Sequence, residues 1–358
     1  MQPLDGPASL SARRAAYGTV SAALARLGDR ELAGLVAAAT PLGTGIGGRS
    51  ALLEVAGTRV FVKRVPLTSL ELRPEHFRST ANLFGLPMVC QYGVGYAPGF
   101  GAWRELAAHE ATSGWVLAGE CPNFPVLYGW RVLPERVPPP LPPELADVGR
   151  AVAFWDGAAG VRRRIEALRD SPASLTLFLE HVPYSLDDRL TARAAAGPQE
   201  VDGAWSLIDR ELASAVAFLN ARGLHHFDAH FGNVLTDGHR LYLTDFGLAL
   251  SADFALSAEE SAFLALHEAY DACYTRSWLV NRLITTLWGH RRAPRESLIR
   301  ALASGAPPPP APPAARALLT RYARVAALMT AFYGSVLDGA HATPYPAEAL
   351  REALEASP

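Results

Sequence analysis

Two short motifs decide the fold: His226-Phe227-Asp228-Ala229-His230-Phe231-Gly232-Asn233 and, a little further on, Asp245-Phe246-Gly247. Between them, residues 234–236 and 241–244 are predicted to form a short β-hairpin that turns at Asp237-Gly238. Such a hairpin would bring side chains of two adjacent loops together. Carboxylate and amide oxygens are the ligands that Mg²⁺ prefers in proteins. The order and spacing of Asp228, Asn233 and Asp245 therefore favour one functional site over unrelated turns.

A glycine-rich run lies near the beginning of the chain, Gly43-Thr44-Gly45-Ile46-Gly47-Gly48. Gly43, Gly45 and Gly48 match the spacing G-x-G-x-x-G, which dinucleotide-binding folds also use. Those folds need a helix N-terminus directly after the glycines. Here two predicted strands follow instead, at 50–55 and 59–65. The sequence therefore favours a glycine-rich hairpin that covers phosphates, and it argues against a dinucleotide-dependent enzyme.

The second of these strands contains Lys63, the only lysine among the 33 basic residues of the chain. Arginine has a planar fork, whereas lysine has a compact ammonium with three donors. A single lysine in an arginine-rich chain indicates a position that needs the smaller cation, unless it reflects chance composition. Lys63 follows Gly48 by fifteen residues, a position that suits a lysine holding the α- and β-phosphates of ATP.

In this motif order, residues 39–250 resemble the protein-kinase-like superfamily. The form H-x-D-x-H-x-G-N is similar to that of aminoglycoside and choline phosphotransferases and other atypical kinases. The resemblance implies an α+β, two-lobed fold with ATP between a small β-rich lobe and a larger helical lobe. The predicted domains are an N-terminal helical extension (1–38), an N-lobe (39–182) and a helical C-lobe with both motifs (183–358).

The resemblance also implies roles for the two motifs. Asp228 would orient an acceptor hydroxyl and take its proton, while Asn233 and Asp245 would each ligate Mg²⁺. His230 stands where protein kinases usually have lysine. It would either touch the γ-phosphate or act as a structural histidine that bonds the loop backbone, and the sequence leaves both open.

Around the nucleotide, the resemblance assigns the phosphates to the glycine run and to Lys63. The lysine should pair with a glutamate on the predicted helix 102–117, where Glu105 and Glu110 are both candidates, with Glu105 preferred. Adenine would bind to the backbone near Glu180–Val182, at the end of a predicted strand. Asp271 is a further candidate, which would brace the catalytic loop from the following helix.

The departures from protein kinases indicate the class of acceptor. Phe227 replaces the arginine that reads a phosphorylated loop, no A-P-E motif follows, and only about ten residues separate Gly247 from the next helical pattern. These features favour a small-molecule hydroxyl acceptor. The alternative is an atypical Ser/Thr protein or peptide kinase. A pseudokinase scaffold is disfavoured because Lys63, Asp228, Asn233 and Asp245 are all present.

Composition restricts the partners. The chain has 358 residues and a net charge of −2, with no basic stripe suited to nucleic acid. No apolar run reaches the roughly 18 residues of a membrane span, and no signal peptide is apparent, so a cytoplasmic location is expected. The cluster Arg162-Arg163-Arg164 is interpreted as a solvated helix face. The oligomeric state is not predicted.

Two segments are predicted to lack regular structure. Residues 66–101 are interpreted as loop, with the glycines at 93–101 in a flexible surface segment. Residues 134–147 are rich in proline and are interpreted as a stiff, exposed linker. This linker begins an insertion, 134–173, whose role the sequence does not indicate.

Overall fold

The computed structural model describes residues 8–135, 137–195, 197 and 199–357. These residues form an α+β protein, as predicted, with a five-stranded antiparallel sheet and many helices. The chain divides into two compact units. The first contains the residues up to Val182 together with Thr244–Ser261, and the second contains Pro183–Leu243 and the residues from Ala262 onward. The domain boundaries predicted from the sequence stay a prediction.

The first unit is built on a sheet with the strand order β1-β2-β3-β5-β4. Its strands are β1 (Thr40–Gly45), β2 (Gly48–Val55), β3 (Thr58–Leu67), β4 (Leu127–Pro134) and β5 (Ala173–Glu180). Its complete helices are α1 (Leu10–Ala25), α2 (Asp29–Ala38), α3 (Ala102–Ala118), α4 (Pro143–Ala146), α5 (Val148–Phe154) and α6 (Ala159–Arg169), and 3₁₀ turns cover Pro74–His76 and Met88–Tyr92.

Strand alternation sets what the two faces of β3 contact. Successive side chains of a strand point to opposite faces, so Lys63, Val65 and Leu67 share one face. Val65 and Leu67 belong to a buried cluster with side chains of α3 and β5, which are Ala102, Trp103, Leu106, Leu175, Leu177 and Leu179. Lys63 therefore lies on the face of the sheet against which α3 packs.

The predicted N-terminal extension is part of the first unit. Ser9 caps α1 by accepting a hydrogen bond from the amide of Ala12 at 3.2 Å. Both α1 and α2 contact β2 and β4, and their apolar side chains Val20, Leu24, Leu32 and Val36 are buried. These helices bury their apolar stripes against the sheet, as amphipathic helices in globular proteins do.

Residues 66–101 lack regular structure apart from the end of β3 and the two 3₁₀ turns, as predicted. The expectation of a surface segment at 93–101 is wrong in part, because Ala97 and Phe100 are buried. Residues 84–100 contain buried apolar side chains, namely Phe84, Leu86, Met88, Cys90, Tyr92, Ala97 and Phe100. A Cβ added to Gly93 would lie 2.4 Å from Leu248, and one added to Gly95 would lie 2.6 Å from Phe154. Gly93 and Gly95 therefore mark close packing against Leu248 and Phe154.

The second unit is mainly helical. It contains α7 (Leu186–Ala194), α8 (Gln199–Ala221), α10 (Tyr270–Trp288), α11 (Ala293–Ala303), α12 (Pro313–Leu337) and α13 (Ala347–Glu355). The helix α9 (Ala258–Leu266) crosses the division at Ser261. In the part of the chain that the structure describes, no helix has both the length and the apolar character to cross a membrane.

The predicted hairpin between the two motifs is confirmed. The remaining strands are β6 (Tyr184–Ser185), β7 (Leu224–His225), β8 (Val234–Thr236), β9 (Leu241–Leu243) and β10 (Leu250–Ser251). β8 pairs with β9 in antiparallel register, with Val234 opposite Leu243. Asp237 closes the turn, because its Oδ1 accepts the amides of His239 and Arg240, each at 2.8 Å.

Candidate functional site

Three charged residues that are distant in sequence meet within the first unit. The Nζ of Lys63 on β3 lies 2.6 Å from Oε1 of Glu105 on α3 and 2.7 Å from Oδ1 of Asp245. The side chains of Lys63 and Glu105 are only 9% and 2% exposed, whereas that of Asp245 is 40% exposed. A buried ammonium thus lies between two carboxylates, and one of these carboxylates faces solvent.

Burial and charge act in opposite directions on the pair. Burial lowers the pKa of Lys63, but the carboxylates of Asp245 and Glu105 outweigh it, and the pKa is raised overall. Burial raises the pKa of Glu105 to about 7, because the loss of hydration outweighs the stabilisation by Lys63 and Asp245 adds like-charge repulsion. Lys63 is therefore always an ammonium, and Glu105 changes charge near neutral pH.

The structure distinguishes the two candidate glutamates. Glu110 points away from Lys63, with its Oε2 2.5 Å from Nη2 of Arg78 and its Oε1 accepting a hydrogen bond from Nε1 of Trp130 at 3.2 Å. Glu105 is the one that contacts Lys63. The helical pattern placed both on α3 but could not assign their partners.

A second buried ion pair fixes the beginning of α3. Glu71 accepts the amide of Ala102, the first residue of α3, at 3.1 Å, and its Oε2 lies 2.8 Å from Nη1 of Arg164 on α6. Burial alone would raise the pKa of Glu71, but Arg164 and Thr68 hold it below its usual value. The interpretation of Arg164 as a solvated helix residue was wrong, since its side chain is 3% exposed. Through this residue, the insertion 134–173 supports the helix that bears Glu105.

The glycine run covers the end of β1, a two-residue turn and the first residue of β2. Gly48 has φ of +118°, and a Cβ at this position would lie 2.2 Å from the carbonyl oxygen of Arg64. At Gly47 a Cβ would lie 3.1 Å from Nζ of Lys63. Gly43 and Gly45 have no such crowding. The G-x-G-x-x-G pattern does not include Gly47, although Gly47 is the glycine of this run that lies beside Lys63.

Asp245 has a strained backbone held by its neighbours. It is a non-glycine residue at φ of +63°, in the left-handed region that side-chain-bearing residues adopt uncommonly. The next side chain, Phe246, is fully buried, and its ring centroid lies 5.0 Å from that of His109 on α3 and 6.4 Å from that of Phe124. The buried phenylalanine anchors the loop that presents the Asp245 carboxylate.

The residues after Gly247 are tied to the rest of the first unit. Gln91 donates a hydrogen bond to the carbonyl of Leu248, and the amide of Ala255 donates to Oγ1 of Thr80 at 2.8 Å. Arg104 and Glu260 form a buried ion pair. The segment after Gly247 is therefore held by two hydrogen bonds and one buried ion pair.

Adenine was predicted to bind at the end of β5. There Glu180 is hydrogen-bonded to its neighbours, whereas the backbone groups of the next two residues have no such bond to the described residues. The Glu180 amide donates to the carbonyl of Val126 at 2.8 Å, and the Glu180 carboxylate is paired with Arg13 at 2.5 Å. His181 and Val182 follow β5 outside any strand, and their backbone groups make no hydrogen bond with the part of the chain that the structure describes. Their N–H and C=O groups therefore have hydrogen-bonding capacity that the described residues do not use.

In the second unit, the carboxylate of Asp228 is held on both oxygens. Nδ2 of Asn233 donates to Oδ2 at 3.0 Å and also to the backbone carbonyl of Asp228 at 3.0 Å. The hydroxyl of Tyr274, whose pKa is raised by burial, donates to Oδ1 at 3.3 Å. Because the amide nitrogen of Asn233 is engaged in this way, its oxygen is the atom that remains for a cation.

His230 contacts the loop backbone. Its Nδ1 accepts the amide of Gly232 at 3.0 Å, while its Nε2 lies 3.9 Å from Oδ2 of Asp228. The ring centroid lies 5.5 Å from that of Trp278 on α10. These contacts are the ones expected of a histidine that shapes the loop, and the side chain is 33% exposed.

Asp271, suggested above as a brace, contacts the backbone just before Asp228. It is fully buried and accepts the backbone amides of His226 at 2.7 Å and Phe227 at 2.9 Å. Nδ2 of Asn220 donates to the same carboxylate at 2.8 Å. Phe227 has φ of +62° and stacks on Tyr270 with ring centroids 4.6 Å apart. One carboxylate thus stabilises a strained turn immediately before Asp228.

The donor atoms suit magnesium. Asp245 offers a partly exposed carboxylate and Asn233 an amide oxygen, and Mg²⁺ is commonly held by one or two such side chains plus phosphate and water oxygens. No group of three or more His, Cys, Asp or Glu side chains that could hold a metal ion occurs among residues 8–135, 137–195, 197 and 199–357. The chemistry of each donor therefore fits the predicted ligand.

No protein-family model matches the chain, and no curated protein sequence matches it.

Proposed function

We propose that this protein is an ATP- and Mg²⁺-dependent phosphotransferase with a two-lobed, protein-kinase-like fold. The carrying observation is the contact of the buried pair Lys63 and Glu105 with the partly exposed Asp245, in which Nζ lies within 2.7 Å of both carboxylates. A lysine held between a helix glutamate and a metal-binding aspartate is the arrangement that positions ATP phosphates in kinases. The hairpin glycines beside Lys63 support the same reading, because Gly47 leaves no side chain over the ammonium.

Each residue then has a role in transfer. Lys63 neutralises charge on the α- and β-phosphates, and the open backbone of His181 and Val182 binds the adenine edge. Asp228 orients the acceptor hydroxyl and accepts its proton as the oxygen attacks the γ-phosphorus. The bond from that phosphorus to the β,γ-bridging oxygen breaks, and ADP leaves. Asp245 and Asn233 would each be a ligand of magnesium, which would neutralise phosphate charge when bound.

A small-molecule acceptor is favoured over a protein. Peptide docking in protein kinases uses an activation segment that can be ordered by phosphorylation. Here the segment after Gly247 is short and is held by Gln91, Thr80 and Arg104. A Ser/Thr protein or peptide acceptor is the second candidate, because the complete catalytic set does not itself discriminate between hydroxyls.

Transfer from γ-labelled ATP tests the function directly. The purified protein would be incubated with Mg²⁺ and, separately, with aminoglycosides, nucleosides and Ser/Thr peptides. Labelled product from any acceptor that disappears in Asp228→Asn would support the proposal. The exposed Asp338→Asn serves as the matched control and should transfer like wild type. Absence of transfer to every acceptor, combined with no binding of ATP by calorimetry, would contradict the proposal.

A further inference from the structure

We propose that Arg13, on the N-terminal helix α1, is a positioning residue for adenine, a role that rests on the function proposed above. In the sequence, Arg13 is distant from every motif, and it lies in the predicted N-terminal extension. Its side chain is only 2% exposed, and that of its partner Glu180 is 14% exposed. Arginine is almost never buried without a partner, so the geometry of this pair shows what the buried charge is used for.

The guanidinium of Arg13 binds with both of its edges. Its Nε lies 3.0 Å and 3.1 Å from the two carboxylate oxygens of Glu180, and its Nη2 lies 2.5 Å from Oε2. Its Nη1 donates to the carbonyl of Pro122 at 2.8 Å, and Nη2 donates to that of Phe124. One side chain therefore joins α1, the segment before β4 and the last residue of β5.

Glu180 is in turn fixed to the neighbouring strand. Its Oε2 accepts the amide of Val126 at 3.0 Å, while its own amide donates to the carbonyl of Val126 at 2.8 Å. The next two residues, His181 and Val182, have backbone groups without a partner in the described chain. Arg13 thus fixes the residue from which the proposed adenine-binding backbone begins.

This arrangement explains why an N-terminal helix would affect a nucleotide. A base recognised by backbone N–H and C=O groups binds tightly only if those groups are already placed, since ordering them on binding costs affinity. A lysine at position 13 would keep the charge but lose the planar fork that serves Glu180 and two carbonyls together. Binding of the adenine ring should therefore weaken. Binding of the phosphates at Lys63 should not change.

Three probes separate the two ends of the nucleotide: adenosine, inorganic tripolyphosphate and ATP, each titrated calorimetrically with Mg²⁺ present. Arg13→Lys should lower the affinity for adenosine and for ATP about tenfold. The affinity for tripolyphosphate should stay within about twofold of the wild-type value. Glu180→Gln weakens the ion pair with Arg13 by changing its other member. It should therefore also lower the affinity for adenosine. Arg14→Ala is the matched control on the same helix, because Arg14 is exposed and donates to the carbonyl of Leu117 rather than to Glu180.

The outcomes distinguish this inference from the proposed function. If wild type binds ATP and adenosine, and folded Arg13→Lys binds adenosine equally well, the inference on Arg13 is wrong. The proposed function is not affected by that outcome. Thermal unfolding verifies the fold of each variant, and if Arg13→Lys does not fold, unchanged adenosine binding by Glu180→Gln overturns the inference on Arg13 equally. Equal weakening of tripolyphosphate would show a general structural role and also overturn it. Wild type that binds none of the three probes contradicts the proposed function.

Discussion

Glu105 and Lys63 form a buried ion pair in which Oε1 lies 2.6 Å from Nζ, and both side chains are less than a tenth exposed. Nζ of Lys63 contacts Oε1 of Glu105 directly, so the geometry of the pair depends on the compact shape of the ammonium. The same ammonium reaches Asp245 at 2.7 Å.

Lys63→Arg should reduce kcat by at least about a hundredfold while the protein stays folded. The planar guanidinium is wider than the ammonium and cannot occupy the same position between two carboxylates and the phosphates. Steady-state kinetics with ATP provides the measurement, and Arg59→Lys on the same strand is the control for a change of basic residue. Turnover within a few-fold of wild type would show that Lys63 is only a structural strand residue.

Activity should fall as the pH decreases through about 7, the value to which burial raises the pKa of Glu105. Below that pH, Glu105 is protonated in the folded protein and no longer pairs with Lys63 as a carboxylate. The same shift makes the contribution of Glu105 to stability largest below its unfolded pKa, and that contribution is lost as the pH rises through about 7. Activity and stability should therefore have opposite pH dependences in this range.

Glu105→Gln is the test of this assignment, because glutamine resembles the protonated acid at every pH. Its profile of kcat/KM against pH should be low and should lack the step near 7. Glu110→Gln, on the same helix but paired with Arg78, should keep the wild-type profile. A step that persists unchanged in Glu105→Gln would assign the titration to another group.

Asp245→Asn should abolish transfer and remove the effect of magnesium on ATP binding. The substitution removes the partly exposed carboxylate proposed to bind the metal. Thermal shift by ATP should increase with Mg²⁺ in wild type and should be the same with and without Mg²⁺ in the variant. Asp253→Asn, an exposed aspartate in the same unit, controls for loss of one charge. A magnesium response retained in Asp245→Asn would contradict the assignment.

The sequence predicts the elements of the first unit better than their contacts. Alternation and glycine positions located β2, β3 and α3, because these patterns reflect local geometry and burial. Arg13 and Arg164 were missed because each pairs with a residue far away in sequence, and periodicity shows a face of a helix but not its partner. The burial of 84–100 was missed because its apolar residues follow neither helical nor strand spacing.

Asp271→Asn should destabilise the second unit by about 3 kcal/mol, since a buried charged acceptor of three N–H groups is replaced by a neutral amide. The carboxylate accepts from His226, Phe227 and Asn220, and an amide NH₂ placed against these donors would repel them. Urea unfolding at pH 7 gives the difference in free energy. The exposed Asp338→Asn should change it by less than about 0.5 kcal/mol. Equal effects of the two variants would show that Asp271 does not stabilise the turn.

Activity should not require phosphorylation of the protein. Phe227 occupies the position of the arginine that would bind a loop phosphate, and it is buried against Tyr270. The segment after Gly247 is already held by Gln91 and by the buried pair of Arg104 and Glu260. Ser251 is 4% exposed, so a kinase could reach its hydroxyl only if the segment first opened.

The measurement compares protein made in bacteria before and after phosphatase treatment, with transfer from labelled ATP as the readout. Both samples should agree within about twofold, because neither part of the charge-pairing switch described for kinases is present. Ser257 is the informative variant, since its Oγ accepts the amide of Glu260 at 3.2 Å as the cap of α9. Ser257→Ala should cost about 1 kcal/mol of stability through the lost cap and leave kcat unchanged. A marked loss of activity after phosphatase treatment, with a phosphate mapped to 248–260, would show that an added charge orders this segment after all.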